Sequence, residues 1–270
     1  MRCTFVFHAH TLSVITLLSD FGTQDASAGA AKGVLLSFMP QVRIVDITHD
    51  IPPFSIQQAA YVLSTSFHNF APGTAHLILV DVFYNAAPRL VACTHNGHLF
   101  LAPDNGLLPL ALGSYAQEGW LCFELGKSNS FHDWLQAAAT TIQLLNSTIP
   151  QQAGLPPQQL SISEREEKKS EDTEIKCGIL YIDHYGNVVT DMHMTQFEKL
   201  NRNNKFSFRF RNVYEANIIS NNYNSVPPGE FLCRFNRNGY LELCVNQGNA
   251  SDLFGIRVSS IYNEIKFIFE

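Results

Sequence analysis

The stretch VITLLSDFGTQDASAGAAKGVLLSF, residues 14–38, and the RIVDIT that follows at 43–48 decide the fold. Val14 to Asp20 is a β-branched and leucine-rich run of strand length that ends in a carboxylate. Phe21 to Asp25 reads as a turn, and Ala26 to Phe38 as a helix stopped by Pro40. Arg43–Thr48 is the next strand. Ser55, after the Pro52-Pro53 break, is placed to cap a helix running towards Pro72, and AHLILVD, Ala75–Asp81, is a third buried strand. This βαβαβ order is the grammar of a parallel sheet with helices on both faces.

Beyond that core, LVACTH and HLFLAPD flank Asn96-Gly97, a two-residue hairpin signal, so an antiparallel element is expected next. A helix from about His132 to Leu145 closes the domain. The segment from Ser147 to Lys176 is rich in Gln, Pro, Ser and charge and has no periodicity, which marks a linker. After it, KCGILYID, NVVTDM, KFSFRF, EFLCRF, YLELCV and EIKFIF alternate at strand period between Gly, Asn and Pro turns, implying a small β-barrel or sandwich. The expected organisation is an N-terminal extension at 1–13, an α/β domain at 14–147, a linker at 148–176 and a β-domain at 177–270.

At 270 residues, with 46% hydrophobic and 16% charged residues, the chain can bury two unequal cores. Its formal charge of -6 argues against nucleic acid, which wants a basic face. The six cysteines show no C-x-x-C spacing and read as buried thiols. No secretory h-region and no run of eighteen apolar residues occur, so a cytoplasmic protein with no membrane span is expected. Ten histidines lack metal-ligand spacing, and no metal site is expected. His132, taken alone, is a cap-region histidine.

Three aspartates, Asp20, Asp46 and Asp81, stand at or near the carboxyl ends of the three strands, where ligands of open parallel sheets bind. Each taken alone serves equally as a helix cap or loop closure. Neither G-x-G-x-x-G nor a Walker lysine is present, so a carboxylate accepting from ribose hydroxyls fits better than a phosphate cradle.

Several strings together carry a family resemblance. ITLLSDFGTQDASAGAAKGVLLSFMPQVRIVDITHDIPP, LAPDNGLL at Leu101–Leu108, ILYIDHYGNVVTDM at Ile179–Met192, and VPPGEF with NGYLELCVNQGNASDLFG resemble, in order, the S-adenosyl-L-methionine (SAM) hydroxide adenosyltransferases, relatives of the fluorinases and chlorinases. The resemblance implies an α/β domain with a mostly parallel sheet of about seven strands plus a small C-terminal β-barrel. It implies a homotrimer holding SAM between one subunit's first domain and its neighbour's second. The implied reaction is attack of water or hydroxide on ribose C5′, giving adenosine and L-methionine, with SAM as substrate and no cofactor or metal.

By the same resemblance Asp20 takes the ribose diol, Ser27 lies close to the nucleophile, and Phe54 lines the site. Asp183 takes the methionine ammonium and Asn187 reads the adenine edge. Asp81, Arg89 and His132 correspond to the family's Asp-Arg-His set. The loop after Asp81 departs from the family: it reads DVFYNAAPRLVA, with Pro88 and Arg89 at the two arginine places and no glycines. FHDWLQAAA likewise lacks the family's G-R-D after the histidine. Three other readings therefore stand beside hydrolysis: a SAM or adenosine binding protein with lost or reduced turnover, a structural trimer with no ligand, and a SAM-dependent halogenase, which the negative charge of Asp81 disfavours.

Overall fold

A computed structural model describes residues 12–85, 88–113, 121–124, 130–147, 174–201, 205–210, 214–257 and 265–269. The chain divides into two compact units, Met1–Arg165 and Glu166–Glu270.

In the first unit, β1 (Val14–Ser19), α1 (Ser27–Phe38), β2 (Arg43–Thr48), α2 (Ile56–Ser66) and β3 (Ala75–Leu79) form the expected βαβαβ series. They are followed by β4 (Arg89–His95), β5 (His98–Pro103), α3 (Leu107–Leu112), β6 (Leu121–Glu124) and α4 (Phe131–Ser147). The sheet order is β2-β1-β3-β5-β4-β6, with β2, β1, β3 and β5 parallel and β4 antiparallel to both neighbours. The Asn96-Gly97 turn forms as expected, with φ of 50° and 79°, the pair of left-handed residues a type I′ hairpin requires. The hairpin is built into the sheet, because β5 pairs with β3.

Strand side chains alternate between two cores. Ile15, Leu17, Leu77 and Leu79 meet α1 and α4 on one face, whereas Leu18, Ile78, Val80 and Phe100 meet α2 and α3 on the other. Burial of each such side chain contributes about 1.5–3 kcal/mol, and together they fix the register of β1 against β3. That register matters because β1 connects forward to β2 on one side while β3 lies on its other side. The crevice at the carboxyl ends of β1 and β3 is the sheet's topological switch point.

A strand boundary at the switch point differs from the sequence expectation. The third strand stops at Leu79, and Asp81 has φ 49°, outside strand geometry. Hydrogen bonds from distant residues turn the chain there, as described below.

The second unit contains β7 (Glu174–Cys177), β8 (Ile179–Ile182), β9 (Val188–His193), α5 (Met194–Leu200), β10 (Phe206–Phe210) and β11 (Tyr214–Ala216). It continues with β12 (Phe231–Phe235), β13 (Tyr240–Val245), α6 (Ala250–Phe254) and β14 (Ile265–Phe269). Two antiparallel sheets, β11-β10-β14-β7 and β12-β13-β9-β8, share an apolar core rich in phenylalanine, including Phe197, Phe208, Phe210 and Phe267. The run KCGILYID is split at Gly178, where the chain passes from one sheet to the other. Gly178 N–H donates to Asp191 Oδ1 at 3.0 Å, and a Cβ on Gly178 would come within 3.2 Å of the other carboxylate oxygen. β7 begins at Glu174, inside the segment expected as linker; residues 148–173 of that segment, and 1–11 of the expected N-terminal extension, lie outside the described residues. The five described cysteines are buried, as the sequence reading expects.

Candidate active site

Asp20 is the hub of the first unit's site. It follows β1, and its Oδ2 accepts the backbone N–H of Phe54 at 2.9 Å and of Asp81 at 3.2 Å. Phe54, in the loop between β2 and α2, has φ 64°, so both residues that Asp20 grips are non-glycine residues in the left-handed region. That conformation costs an L-residue about 1–2 kcal/mol and persists where surrounding contacts over-determine it. One carboxylate oxygen thus draws together loops from three strand ends at the switch point. Oδ1 of Asp20 accepts no hydrogen bond from the described residues, which leaves it free for a ligand donor.

The other polar groups around β1 support this turn. Ser19 Oγ lies 2.6 Å from His49 Nδ1, Gly22 N–H donates to the His49 carbonyl at 2.8 Å, and Ile51 N–H donates to the Ser19 carbonyl at 3.3 Å. Asp46 pairs with Lys32 of α1 at 2.6 Å and stands 3.2 Å from His49 Nε2. It is therefore a structural carboxylate. Asp25 Oδ1 accepts the Ser27 N–H at 2.8 Å, which sets half-buried Ser27 as the first residue of α1.

Asp81 sits at the carboxyl end of β3, half-buried. Burial, and then the neighbouring negative charge of Asp20, hold its carboxyl above the ordinary carboxylate range. Its turn is clamped from the far side by Asn105, whose Nδ2 donates to the carbonyls of Val80 at 3.0 Å and Asp81 at 3.4 Å. In the altered loop Val82 packs into the core, Phe83 points outward, and the Tyr84 hydroxyl accepts the Arg89 N–H at 3.1 Å. The Arg89 guanidinium is ion-paired with Asp104, whose carboxylate is only 2% exposed.

Sequence reading alone assigned neither Asp104 nor Asn105 a place in the site. A signal was available: counting back from the two-residue hairpin loop pairs His95 with His98 and Leu90 with Pro103, so Arg89 faces Asp104.

His132 is exposed in the first turn of α4, with Nε2 3.0 Å from the Gln136 amide nitrogen. Ser130 precedes that turn. Its hydroxyl accepts the Asp133 N–H at 3.1 Å and donates to the Asp133 carboxylate at 2.6 Å. Phe131 packs edge-on to Phe21 at 5.1 Å, which brings the start of α4 to the turn after Asp20.

In the second unit Asp183 and Asn187 form one turn. Asp183 Oδ1 accepts the N–H groups of Tyr185 and Asn187 at 2.9 and 2.8 Å, and its Oδ2 accepts from Asn187 Nδ2 at 2.9 Å. Gly186, at φ 82°, is required here: an added Cβ would lie 2.0 Å from Asn249 Oδ1, and its carbonyl accepts from Ser251 N–H at 2.8 Å. The DHYGN turn is therefore locked onto the NQGNA turn. Nearby Glu242, buried on β13, accepts from the Tyr223 hydroxyl and Arg234, both at 2.9 Å. Burial first, opposed by those partners and reinforced by the charge of Asp183, raises its pKa. Among the described residues no cluster of three or more His, Cys, Asp or Glu is placed to hold a metal ion, and no helix is long and apolar enough to cross a membrane.

A doubly covered, mostly parallel sheet with carboxylates converging at its switch point, followed by an antiparallel β-unit, defines a class of α/β proteins built to hold a small polar ligand at strand ends. Comparison with known proteins narrows this. Residues 15–153 match the SAM hydroxide adenosyltransferase N-terminal domain and residues 177–262 its C-terminal domain, so the chain belongs to the SAM hydroxide adenosyltransferase family. It is similar to the (R)-S-adenosyl-L-methionine hydrolase of Salinispora tropica, with 27% identity over 251 residues, covering 90% of this chain and 94% of that one. The protein of the same name from Methanocaldococcus jannaschii is 27% identical over 269 residues, covering 96% and 97%. The crystal structure of an uncharacterized conserved protein from Thermotoga maritima superposes with a TM-score of 0.76 at 25% identity, covering 95% of this chain and all of that one.

Proposed function

We propose that the protein cleaves SAM at ribose C5′ with water as the nucleophile, releasing adenosine and L-methionine. The observation that carries this reading is the convergence of Asp20, Phe54 and Asp81, through one carboxylate oxygen, at the switch point of the sheet. The names of the relatives from Salinispora tropica and Methanocaldococcus jannaschii support the same substrate, and the family's description as a hydroxide adenosyltransferase supports the same bond.

SAM brings its own leaving group, a sulfonium that departs as a neutral thioether, so the protein has chiefly to orient and activate water in line with the C–S bond. Asp20 accepts from the ribose hydroxyls through its open Oδ1, and Phe54, 72% exposed, supplies an apolar face to the ligand. Asp81, with its raised pKa, orients the water and takes its proton. Arg89 stabilises developing hydroxide, His132 completes the hydrogen bonds, and Ser27 lies beside the nucleophile. Asp183 takes the methionine ammonium at a lone pair its own turn leaves over, and Asn187 offers its Oδ1 to the amino edge of adenine. The protein works as a cytoplasmic homotrimer, each site shared by the first domain of one subunit and the second domain of its neighbour. The uncovered Phe54 and Phe83 on the first unit and Tyr185 on the second suit such a shared site. A halide nucleophile is disfavoured, because the neighbouring carboxylates of Asp20 and Asp81 repel it.

A second reading, a SAM or adenosine binding protein with reduced turnover, is favoured by one observation: the Arg89 guanidinium is paired with buried Asp104, which diminishes its charge towards a nucleophile. Replacing Asp81 by Asn and following adenosine and methionine by chromatography separates the two. Hydrolysis requires turnover to fall by about a hundredfold or more with SAM binding kept, the scale of a lost acid-base group. Unchanged turnover removes Asp81 from the mechanism.

A further inference from the structure

We infer that Asn105 is a positioning residue for the reaction, acting on Asp81 through the backbone. The inference rests on the proposed role of Asp81 as the group that activates water.

Asp81 is a non-glycine residue at φ 49°, so its carboxylate points where it does only while both flanking peptides are held. Asp20 takes the Asp81 N–H at 3.2 Å. Asn105 takes the other side, its Nδ2 lying 3.0 Å from the Val80 carbonyl and 3.4 Å from that of Asp81. Its Oδ1 accepts the Leu107 N–H at 3.2 Å, at the start of α3.

Closing the start of a short helix needs only an acceptor, which Ser, Thr or Asp would supply equally well. The donor half of the amide serves a different purpose, since both of its acceptors are carbonyls of the Asp81 turn. Only an amide of this length combines the acceptor for Leu107 with donors for Val80 and Asp81, and at 9% exposure water cannot readily replace it. Asp104, the preceding residue, holds Arg89, so one dipeptide after β5 sets both members of the proposed nucleophile-activating pair.

The test is a double-mutant cycle of Asn105→Asp with Asp81→Asn, read as kcat and KM for SAM. Asn105→Asp keeps the shape and the acceptor for Leu107 but puts oxygen against the two carbonyls. Asn105→Ala, measured in parallel, removes the donor without adding charge, and thermal melting of every variant reports folding. The expected result is a fall in kcat of about tenfold or more with KM changed by less than about threefold. In the Asp81→Asn background either Asn105 change should then lower the residual kcat no further, because the group it positions is already gone. An unchanged kcat in both single variants, or losses that multiply in the double variants, would overturn the inference while leaving SAM hydrolysis intact. Adenosine formation absent from the unaltered protein, or full turnover in Asp81→Asn, overturns the inference together with the reading beneath it.

Discussion

Replacement of Asp20 by Ala removes the one acceptor shared by Phe54 and Asp81, and the structure sets the size of the effect. Hydrogen bonds to a charged group contribute roughly 1.5–3 kcal/mol each, and the Oδ2 contacts at 2.9 and 3.2 Å are two of them. Some of that loss is offset. Phe54 and Asp81 would relax from the left-handed region, recovering about 1 kcal/mol apiece, and the charge pressed against Asp81 would disappear. Net destabilisation should be about 1–3 kcal/mol, read from urea denaturation. The functional loss is separate, since relaxation worth about 2 kcal/mol leaves the competent arrangement roughly thirtyfold less populated. Calorimetry with adenosine and 2′-deoxyadenosine measures this directly. The unaltered protein should prefer adenosine by about tenfold or more, and Asp20→Ala should bind both weakly and about equally. Retained stability together with retained preference for the ribose diol would refute the assignment of Asp20 as hub and ribose acceptor.

Three further outcomes are expected. Gly186→Ala forces a Cβ into Asn249 and onto a φ of 82°, so it should cost about 2–4 kcal/mol, checked by denaturant unfolding, and should weaken SAM binding without altering the first unit. His76 is buried against Thr16 and His98, and burial, then the charge of His98, push its pKa down to about 3. The unfolded chain therefore binds a proton that the folded chain refuses, so stability is full above about pH 6.5 and falls as pH drops towards 3, by as much as about 4 kcal/mol. Urea midpoints between pH 7.5 and 5 should show this slope, and His76→Gln should flatten it. Because burial and then the charge of Asp20 raise the Asp81 pKa, the acid limb of kcat should lie above the ordinary carboxylate value, and Asp20→Asn should move it to lower pH.

The fold was legible where local pattern and tertiary demand agree. β1, β2, α1 and the Asn96-Gly97 hairpin follow from hydrophobic runs and turn chemistry, because each is a buried strand, a small-residue helix or a left-handed turn pair. The strand ending at Leu79 was not legible, since Val80 and Asp81 belong by composition to the strand and are turned out of it by Asp20 and Asn105, far away in sequence. The same applies at Gly178, where the carboxylate of Asp191 decides that one apolar run becomes two strands in two sheets. Of the site, the resemblance named the residues proposed to face a ligand and not those that hold them in place. Asp104 and Asn105 are ordinary turn residues in the sequence, and only the register of β4 against β5 and the pairing of β5 beside β3 make them partners of Arg89 and Asp81.

The most direct measurement of the central claim is incubation of the purified protein with SAM in water enriched in oxygen-18, followed by mass spectrometry of the products. Attack of water at C5′ requires adenosine carrying one oxygen-18 in its 5′ hydroxyl, formed in equal amount with L-methionine that carries none. Adenosine at no more than the rate without protein, or label appearing in methionine instead, would contradict it.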